Sequence, residues 1–189
     1  MISARLSSRQ PTQSLPMDIE TLASVCGNIR LSSDVNEDSV NDVIDRIIRI
    51  NLFNPENPID LEISTGGGSL QHGLRLLSWI NRIGNPIVVR GEGVVCSMGA
   101  ILLCANDRTR VASSTARIMI HSGSTLMAGN RRELNEGISS LKDADDAMLD
   151  LLVKRSGQRK SVIAKFFDGF DHWLTPKEAK KLNLIDQVI

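Results

Sequence analysis

The chain has 189 residues, a length at which a single domain can bury enough apolar surface to fold without disulfide bonds or structural metals. Its 22 basic and 22 acidic residues cancel, which excludes recruitment of nucleic acid or of an acidic membrane by net charge. Three cysteines without metal-binding spacing, no apolar run long enough to cross a bilayer and no secretory signal pattern lead us to expect a cytoplasmic protein.

The N-terminal residues differ in pattern from the rest of the chain. Residues 1–16 are rich in Ser, Gln, Arg and Pro and show no apolar period, so they are not expected to join a core. We therefore expect a mobile arm over residues 1–28 and one domain over residues 29–189.

The middle of the chain repeats a unit of strand, small-residue turn and helix. Apolar spacing from Val40 to Ile48 predicts a helix that begins at an acidic cluster. Alternation in IDLEIS predicts a strand whose solvent-facing side carries Asp60 and Glu62. After the glycines of ISTGGGSL the pattern predicts a second helix, then the strand IVVRGEGVV and the helix MGAILLCA.

The C-terminal part adds a strand and two helices. ARIMIH is predicted to be a strand, and an apolar stripe predicts a long helix over about residues 131–155. The last helix, TPKEAKKL, has Thr175 as N-cap, Pro176 at the first helical position and Glu178 completing a capping box. Strands that alternate with helices predict a mainly parallel α/β fold with right-handed crossovers.

One serine stands where a strand is predicted to meet a helix. Ser97 precedes Met98 and Gly99, so the amide after it lies at a helix start and is free to donate a hydrogen bond. A serine at such a turn is also suited to be an ordinary N-cap. Gly67 or Gly68 would offer a second inward-pointing amide, and the two amides together would form an oxyanion hole. The alternatives for the glycines are a flexible turn or a phosphate loop, although the Lys-Ser/Thr pair of a P-loop is absent.

A serine nucleophile needs a base, and three histidines are available. His121 is favoured because it ends a predicted strand, whereas His72 lies on a helix face and His172 stands beside a tryptophan. A third group must orient the imidazole, and FDGFDHWL offers Asp168 and Asp171. Spacing does not choose between these two acids. A structural histidine and a turn-capping acid are the alternative readings.

Five segments of the sequence resemble the ClpP-type serine peptidases, the proteolytic subunits of the ATP-dependent Clp protease. The resemblance runs essentially without gaps from about residue 29 to the end, and its segments are ISTGGGSL, CSMGAILL, ARIMIH, the Gly-Asn pair at residue 129 and FDHWLTPKEAKKLNLIDQVI. It implies a catalytic triad of Ser97, His121 and Asp171, and thereby favours Asp171 over Asp168.

The resemblance also implies the rest of the site. The oxyanion-hole amides would be those of Gly68 and Met98, and the substrate-binding residues would be Ser69, Leu70 and Leu126. No metal and no cofactor are implied for this chain, because ATP would be used by a partner AAA+ unfoldase.

The fold and assembly implied are those of the family. The fold would be the α/β ClpP/crotonase-like spiral of repeated β-β-α units, with the long helix over about residues 131–155 as a protruding handle. Stacked heptameric rings, a tetradecamer, would enclose a chamber in which unfolded proteins or peptides are hydrolysed through an acyl-enzyme. No nucleic acid or membrane partner is expected.

Several departures from the family pattern are visible. Asp60 and Glu62 replace aromatic residues that commonly bind a hydrophobic unfoldase loop, and burying such a loop against carboxylates would desolvate their charges. Docking of the usual ATPase is therefore in doubt. Gly66 and Gly123 stand where the family has prolines, so both loops are expected to be looser.

Three alternatives to the standard protease follow. The first is a divergent phage-type or secondary-copy peptidase that acts without the usual ATPase. The second is an inactive structural ring paralogue, and the third is a crotonase-like acyl-CoA enzyme that shares the spiral.

Overall fold

A seven-stranded sheet organises residues 26–189, the part of the chain that this computed structural model describes. Five strands pair in parallel in the order β1-β2-β3-β4-β7. They are β1 (Asn28–Leu31), β2 (Ile59–Thr65), β3 (Ile87–Cys96), β4 (Thr109–Ala112) and β7 (Gln187–Val188). The mobile arm expected from the sequence falls, up to residue 25, outside the described residues.

Two further strands extend the sheet at the end of β3 that leads to Ser97. Strand β5 (Arg117–Ile120) pairs in parallel with the last part of β3, and β6 (His172–Leu174) pairs antiparallel with β5. Strand β3 is therefore shared: its first half pairs with β4 and its second half with β5. This branching places the ends of β3, β5 and β6 at one edge of the sheet.

Six α-helices connect the strands within the described residues. They are α1 (Glu37–Phe53), α2 (Leu70–Arg82), α3 (Met98–Cys104), α4 (Arg131–Ser156), α5 (Lys160–Ile163) and α6 (Pro176–Lys181). A 3-10 turn, Ala164–Phe167, follows α5 directly. The α/β class and the parallel sheet predicted from the sequence are confirmed.

The core lies around α3, the helix that begins directly after Ser97. All of its residues are buried, because β3 precedes it and α2, α4 and the sheet pack around it. Its sequence has no polar side chain, which is what a helix surrounded by protein on every side requires. The position of Ser97 is thus fixed by a helix whose residues are all buried.

Helix α4 is buried along only part of its length. Met148, Leu149 and Leu152, in its C-terminal half, pack into the core, whereas Ile138 is exposed and Leu134 is half-buried. The predicted apolar stripe is present, but within the described residues its N-terminal half has no core to face.

The helix ends follow the predicted capping chemistry. Thr175 Oγ1 accepts a hydrogen bond from the Glu178 N–H, and Pro176 is the first residue of α6, so the predicted capping box is confirmed. Strands β6 and β7 and helix α5 were not predicted, since segments of two to four residues are too short to show a period.

Candidate active site

Ser97 occupies a strained position between β3 and α3. Its backbone has φ 54° and ψ −122°, a conformation that residues with a side chain rarely adopt. The Ser97 N–H donates to the Met119 carbonyl at 2.8 Å, and its own carbonyl accepts from Ile101 at 3.1 Å. Its hydroxyl makes no capping bond to α3, so the ordinary N-cap reading of this serine is wrong.

The Ser97 hydroxyl instead contacts a histidine on the neighbouring strand end. The distance from Ser97 Oγ to His121 Nε2 is 2.8 Å, which is a normal hydrogen-bond length. His121 directly follows β5, which runs parallel to β3 with Cys96 opposite Met119. Both strands therefore end at the same edge of the sheet. This is where α/β proteins usually bind and transform their ligands.

The two candidate acids occupy different environments. Asp171 Oδ1 lies 3.6 Å from His121 Nδ1, somewhat longer than a hydrogen bond. Asp168 Oδ1 lies 2.7 Å from His172 Nε2 and also accepts from the Phe170 N–H at 3.1 Å. These two bonds hold the pKa of Asp168 below its usual value. Asp171 is therefore the carboxylate beside His121, and Asp168 closes its own loop.

The pairing of β5 with β6 explains why Asp171 faces His121. Ile120 is opposite His172 in the antiparallel ladder, so the next residue outward on each side brings His121 opposite Asp171. Residues opposite each other in such a ladder have Cβ atoms about 4.5–5.5 Å apart, within reach of a short side chain.

The thiol of Cys96, the residue before Ser97, lies in surroundings that disfavour its ionisation. Burial, and secondly the negative charge of Asp171, raises the pKa of the Cys96 thiol. A protonated thiol is a poor nucleophile. The raised pKa therefore makes Cys96 a weaker candidate nucleophile than an ordinary cysteine.

The glycine loop after β2 brings backbone N–H groups to the same place. The Gly67 N–H is already used, because it donates to Thr65 Oγ1 at 3.1 Å. The N–H groups of Gly68 and Met98 have no acceptor within residues 26–189. Of the two glycines that the sequence offered as an oxyanion donor, Gly68 is the one with a free amide.

Two of these glycines are required by geometry. Gly67 has φ 108°, and a Cβ there would lie 2.6 Å from Ser97 Cβ. Gly68 has φ 140°, and a Cβ there would lie 2.5 Å from the Val35 carbonyl oxygen. Any side chain at either position would push the loop away from Ser97 or from Val35.

The loops that lack the expected prolines are held by other contacts. Val35 donates to the Gly67 carbonyl and accepts from the Ser69 N–H, both at 2.7 Å. The Gly123 N–H donates to Asp145 Oδ1 of α4 at 2.6 Å. Each of the two loops is therefore held by hydrogen bonds to another part of the chain, although it lacks the proline.

A cavity of about 540 Å³ opens beside Ser97 and His121. Its lining is polar around Ser97 and His121, and its apolar part consists of side chains from α2, β5 and α4, namely Leu70, Met119, Leu141, Ala144 and Met148. Ser69 lies on its rim and also caps α2, accepting from the His72 N–H at 3.4 Å. Leu126 is fully exposed and lies outside the cavity wall, in a stretch without helix or strand.

The carboxylates on the outer face of β2 are paired. Arg90 on β3 lies opposite Glu62, and its guanidinium contacts Asp60 at 3.1 Å, Glu62 at 3.3 Å and Glu92 at 2.7 Å. Arg30 adds a 3.6 Å contact to Glu62. The two carboxylates do share one face, as predicted, but an arginine that the sequence did not point to offsets part of their negative charge.

An apolar groove of about 710 Å³ borders the cluster of Asp60, Glu62, Arg90 and Glu92. Val88, Val111 and Ile189 are among its lining residues. The surface beside the charged cluster thus combines apolar side chains with charged ones.

Two general findings concern the described part of the chain. No helix within residues 26–189 combines the length and the apolar character needed to cross a bilayer. The same residues contain no group of three or more His, Cys, Asp or Glu side chains arranged to hold a metal ion.

Comparison with known proteins identifies the family of this α/β chain with its strand-end serine and histidine. Residues 17–189 match the family model described as Clp protease. The chain is 32% identical over 164 residues to ATP-dependent Clp protease proteolytic subunit 1 of Chlamydia trachomatis serovar D, covering 85% of each chain. It is 30% identical over 162 residues to the ATP-dependent Clp protease proteolytic subunit of Deinococcus radiodurans, covering 85% of this chain and 79% of that one. The chain therefore belongs to the Clp protease family and is a Clp-type peptidase, as the sequence predicted.

Proposed function

We propose that this protein is a serine endopeptidase that cleaves peptide bonds of unfolded proteins or peptides with Ser97 as nucleophile, His121 as general base and Asp171 as orienting acid. The 2.8 Å contact between Ser97 Oγ and His121 Nε2 carries the proposal, because a serine hydroxyl attacks only when a base can take its proton. The positive φ of Ser97 supports it, since it turns the hydroxyl away from α3 and toward the cavity.

Acylation would begin with attack of Ser97 Oγ on the scissile carbonyl carbon. His121 Nε2 takes the hydroxyl proton, and the carbonyl oxygen becomes an oxyanion that accepts hydrogen bonds from the Gly68 and Met98 N–H groups. Collapse of this intermediate breaks the carbon–nitrogen bond, and His121 returns the proton to the leaving amine. Each oxyanion donor of this kind is worth about 100- to 1,000-fold in rate.

Deacylation would repeat the sequence with water. His121 takes a proton from a water molecule, which attacks the ester carbon, and the second oxyanion uses the same two amides. Its collapse breaks the ester bond, and His121 gives the proton back to Ser97 Oγ. The negative charge of Asp171 stabilises the imidazolium that His121 becomes in both steps.

The substrate would lie along the cavity beside Ser97. Ser69 and Leu70 border it, and the unpaired segment around Leu126 offers backbone groups to an extended peptide. The apolar wall from α4 and β5 suits an apolar substrate side chain next to the scissile bond.

The assembly we propose is a homo-oligomer of stacked heptameric rings enclosing a chamber. The exposed N-terminal half of α4 supports it, because Ile138 and its neighbours have no core to pack against within the described residues. The relatives named above are called ATP-dependent, so ATP would be used by a separate AAA+ unfoldase, and this chain itself would need no cofactor or metal. Free thiols at Cys96 and Cys104 fit the cytoplasm.

A divergent peptidase without the standard ATPase is the second candidate, and the charged cluster on β2 and β3 favours it. A hydrophobic unfoldase loop would have to cover Asp60, Glu62 and Arg90, which costs desolvation even when the charges are paired. Calorimetry with an acyldepsipeptide-type activator tests this idea. Weak or absent binding is expected, and tight binding by the unmodified protein would remove the argument.

An inactive ring paralogue and an acyl-CoA enzyme are less well supported. A paralogue without activity would not need the strained backbone of Ser97, and an acyl-CoA enzyme would not need a serine hydroxyl hydrogen-bonded to His121.

The deciding experiment compares the wild type with Ser97→Ala. The wild type should hydrolyse a fluorogenic peptide and react with a fluorophosphonate at Ser97, as mapped by mass spectrometry. Ser97→Ala should lose labelling and on the order of a millionfold in rate. Ser161→Ala, at an exposed serine of α5, is the matched control and should retain full activity. Near-normal turnover by Ser97→Ala, or no labelling of the wild type, would refute the proposed function.

A further inference from the structure

A hydrogen bond outside the triad joins the segment that carries His121 to the segment that carries Asp171. Ser122 Oγ accepts from the Gly169 N–H at 3.0 Å. Ser122 directly follows the histidine, and Gly169 precedes the acid by two residues. The contact therefore links the two chain segments on which the proposed base and acid depend.

The bond lies just beyond the end of the β5–β6 ladder. The last paired residues are Ile120 and His172, and continuing the same register outward brings His121 opposite Asp171 and Gly123 opposite Gly169. The base and the acid are thus the first residues past the ladder, where strand pairs normally separate. The Ser122–Gly169 bond closes the two segments again on the outer side of the base and acid.

The remaining anchors act within one segment or on another element. The Gly123 N–H donates to Asp145 on α4, so the segment after His121 is fixed to that helix. Asp168 binds the Phe170 N–H and His172, so the loop before Asp171 is closed on itself. Within residues 26–189, the hydrogen bond that joins the two segments outside the ladder is the one made by Ser122.

We propose that Ser122 is a positioning residue that holds Asp171 beside His121. The His121 Nδ1 to Asp171 Oδ1 distance is already 3.6 Å, so any further opening moves the carboxylate out of useful range. Asp171 is largely exposed, and little else fixes its distance from the imidazole. The inference rests on the proposed serine mechanism, and it predicts that Ser122 acts only through Asp171.

The first measurement is the kinetics of Ser122→Ala. The substitution frees the Gly169 N–H, which lies in an exposed loop and can bind water, so the fold should tolerate it. We expect kcat to fall about 10-fold with KM unchanged, since one hydrogen bond of ordinary strength is lost and the cavity wall is untouched. Ser122→Thr keeps the hydroxyl and should restore most of the activity, while Ser161→Ala should behave as wild type.

A double-mutant cycle with Asp171→Asn separates positioning from a general structural role. If Ser122 acts by holding Asp171, Ser122→Ala should cause no further loss in the Asp171→Asn background, as measured by the rate of fluorophosphonate labelling. An equal loss in both backgrounds, or no loss in the wild-type background, would overturn the proposal. Failure of the serine mechanism would be seen separately, as activity that survives Ser97→Ala.

Discussion

Replacing Asp171 by Asn removes the charge beside His121 and keeps the shape of the side chain. At 3.6 Å, a carboxylate and an imidazolium attract each other by about 1 kcal/mol at the dielectric constant of water and by about 4.6 kcal/mol at an effective value of about 20. The Asp171 side chain is 60% exposed, so solvent screening favours the lower part of this range. We expect kcat to fall about 10- to 100-fold.

The assay compares Asp171→Asn with Asp168→Asn under identical conditions. Steady-state hydrolysis of a fluorogenic peptide gives kcat and KM, and thermal unfolding checks that each variant folds. Asp168→Asn should change kcat by no more than about 3-fold, because Asp168 binds His172 and its own loop rather than His121. A larger loss for Asp168→Asn than for Asp171→Asn would refute the assignment. A loss above about 10,000-fold for Asp171→Asn would show that the carboxylate works in a closer and more buried geometry than this one.

Three other perturbations test different parts of the structure. Gly67→Ala should abolish most peptidase activity while folding is retained, because its Cβ would meet Ser97 Cβ at 2.6 Å; unchanged kcat would contradict this. Burial of the Asp186 carboxyl raises its pKa, but hydrogen bonds from the buried Arg110 outweigh this effect and lower the pKa in the folded state. The ionised carboxylate therefore stabilises the fold fully above the unfolded pKa of about 3.9, and this stabilisation is lost as the pH falls through the lower folded value. Asp186→Asn should therefore lower the free energy of unfolding, measured with denaturant, by about 2–3 kcal/mol at neutral pH, less than for a fully buried pair because the carboxylate is 36% exposed. The variant's stability should also depend less on pH below about 4. A stability equal to wild type would contradict the role of the pair. Arg90→Ala should cost about 1 kcal/mol in the same experiment, because it leaves Asp60 without its cation and Glu62 with the Arg30 contact alone; a stabilised variant would show that the cluster opposes folding.

The features predicted correctly from the sequence are those that neighbouring residues determine. Ser97 was placed between a strand and a helix by the change from alternating to helical spacing, and the structure has β3 ending at Cys96 and α3 beginning at Met98. The glycine turn and the capping box at Thr175 were equally local, because turns and caps are set by neighbouring residues.

The rest depended on contacts between distant parts of the chain. Strand β6 has three residues and is stabilised by pairing with β5, so no period in HWL could reveal it. That pairing is what brings Asp171 to His121, and spacing alone therefore left Asp168 and Asp171 unresolved. The Ser122–Gly169 bond crosses between the same two segments and has no signal in either one.

The charged cluster shows the same limit on another face. Alternation gave the correct side of β2 for Asp60 and Glu62, but their pairing with Arg90 depends on the register between β2 and β3. A hydrophobicity pattern fixes the face of a strand, whereas register is decided by the whole sheet.

The complete burial of α3 divides the reactive groups into two regions of unequal stability. Ser97 is continuous with the helix at the centre of the core, so exposing its backbone would require the molecule to unfold globally. Asp171 is exposed and lies outside the helices and strands, and segments of this kind open at a lower free energy than a core helix. The proposed nucleophile therefore belongs to the most stable part of the described structure, whereas the proposed acid lies where the chain can move without global unfolding.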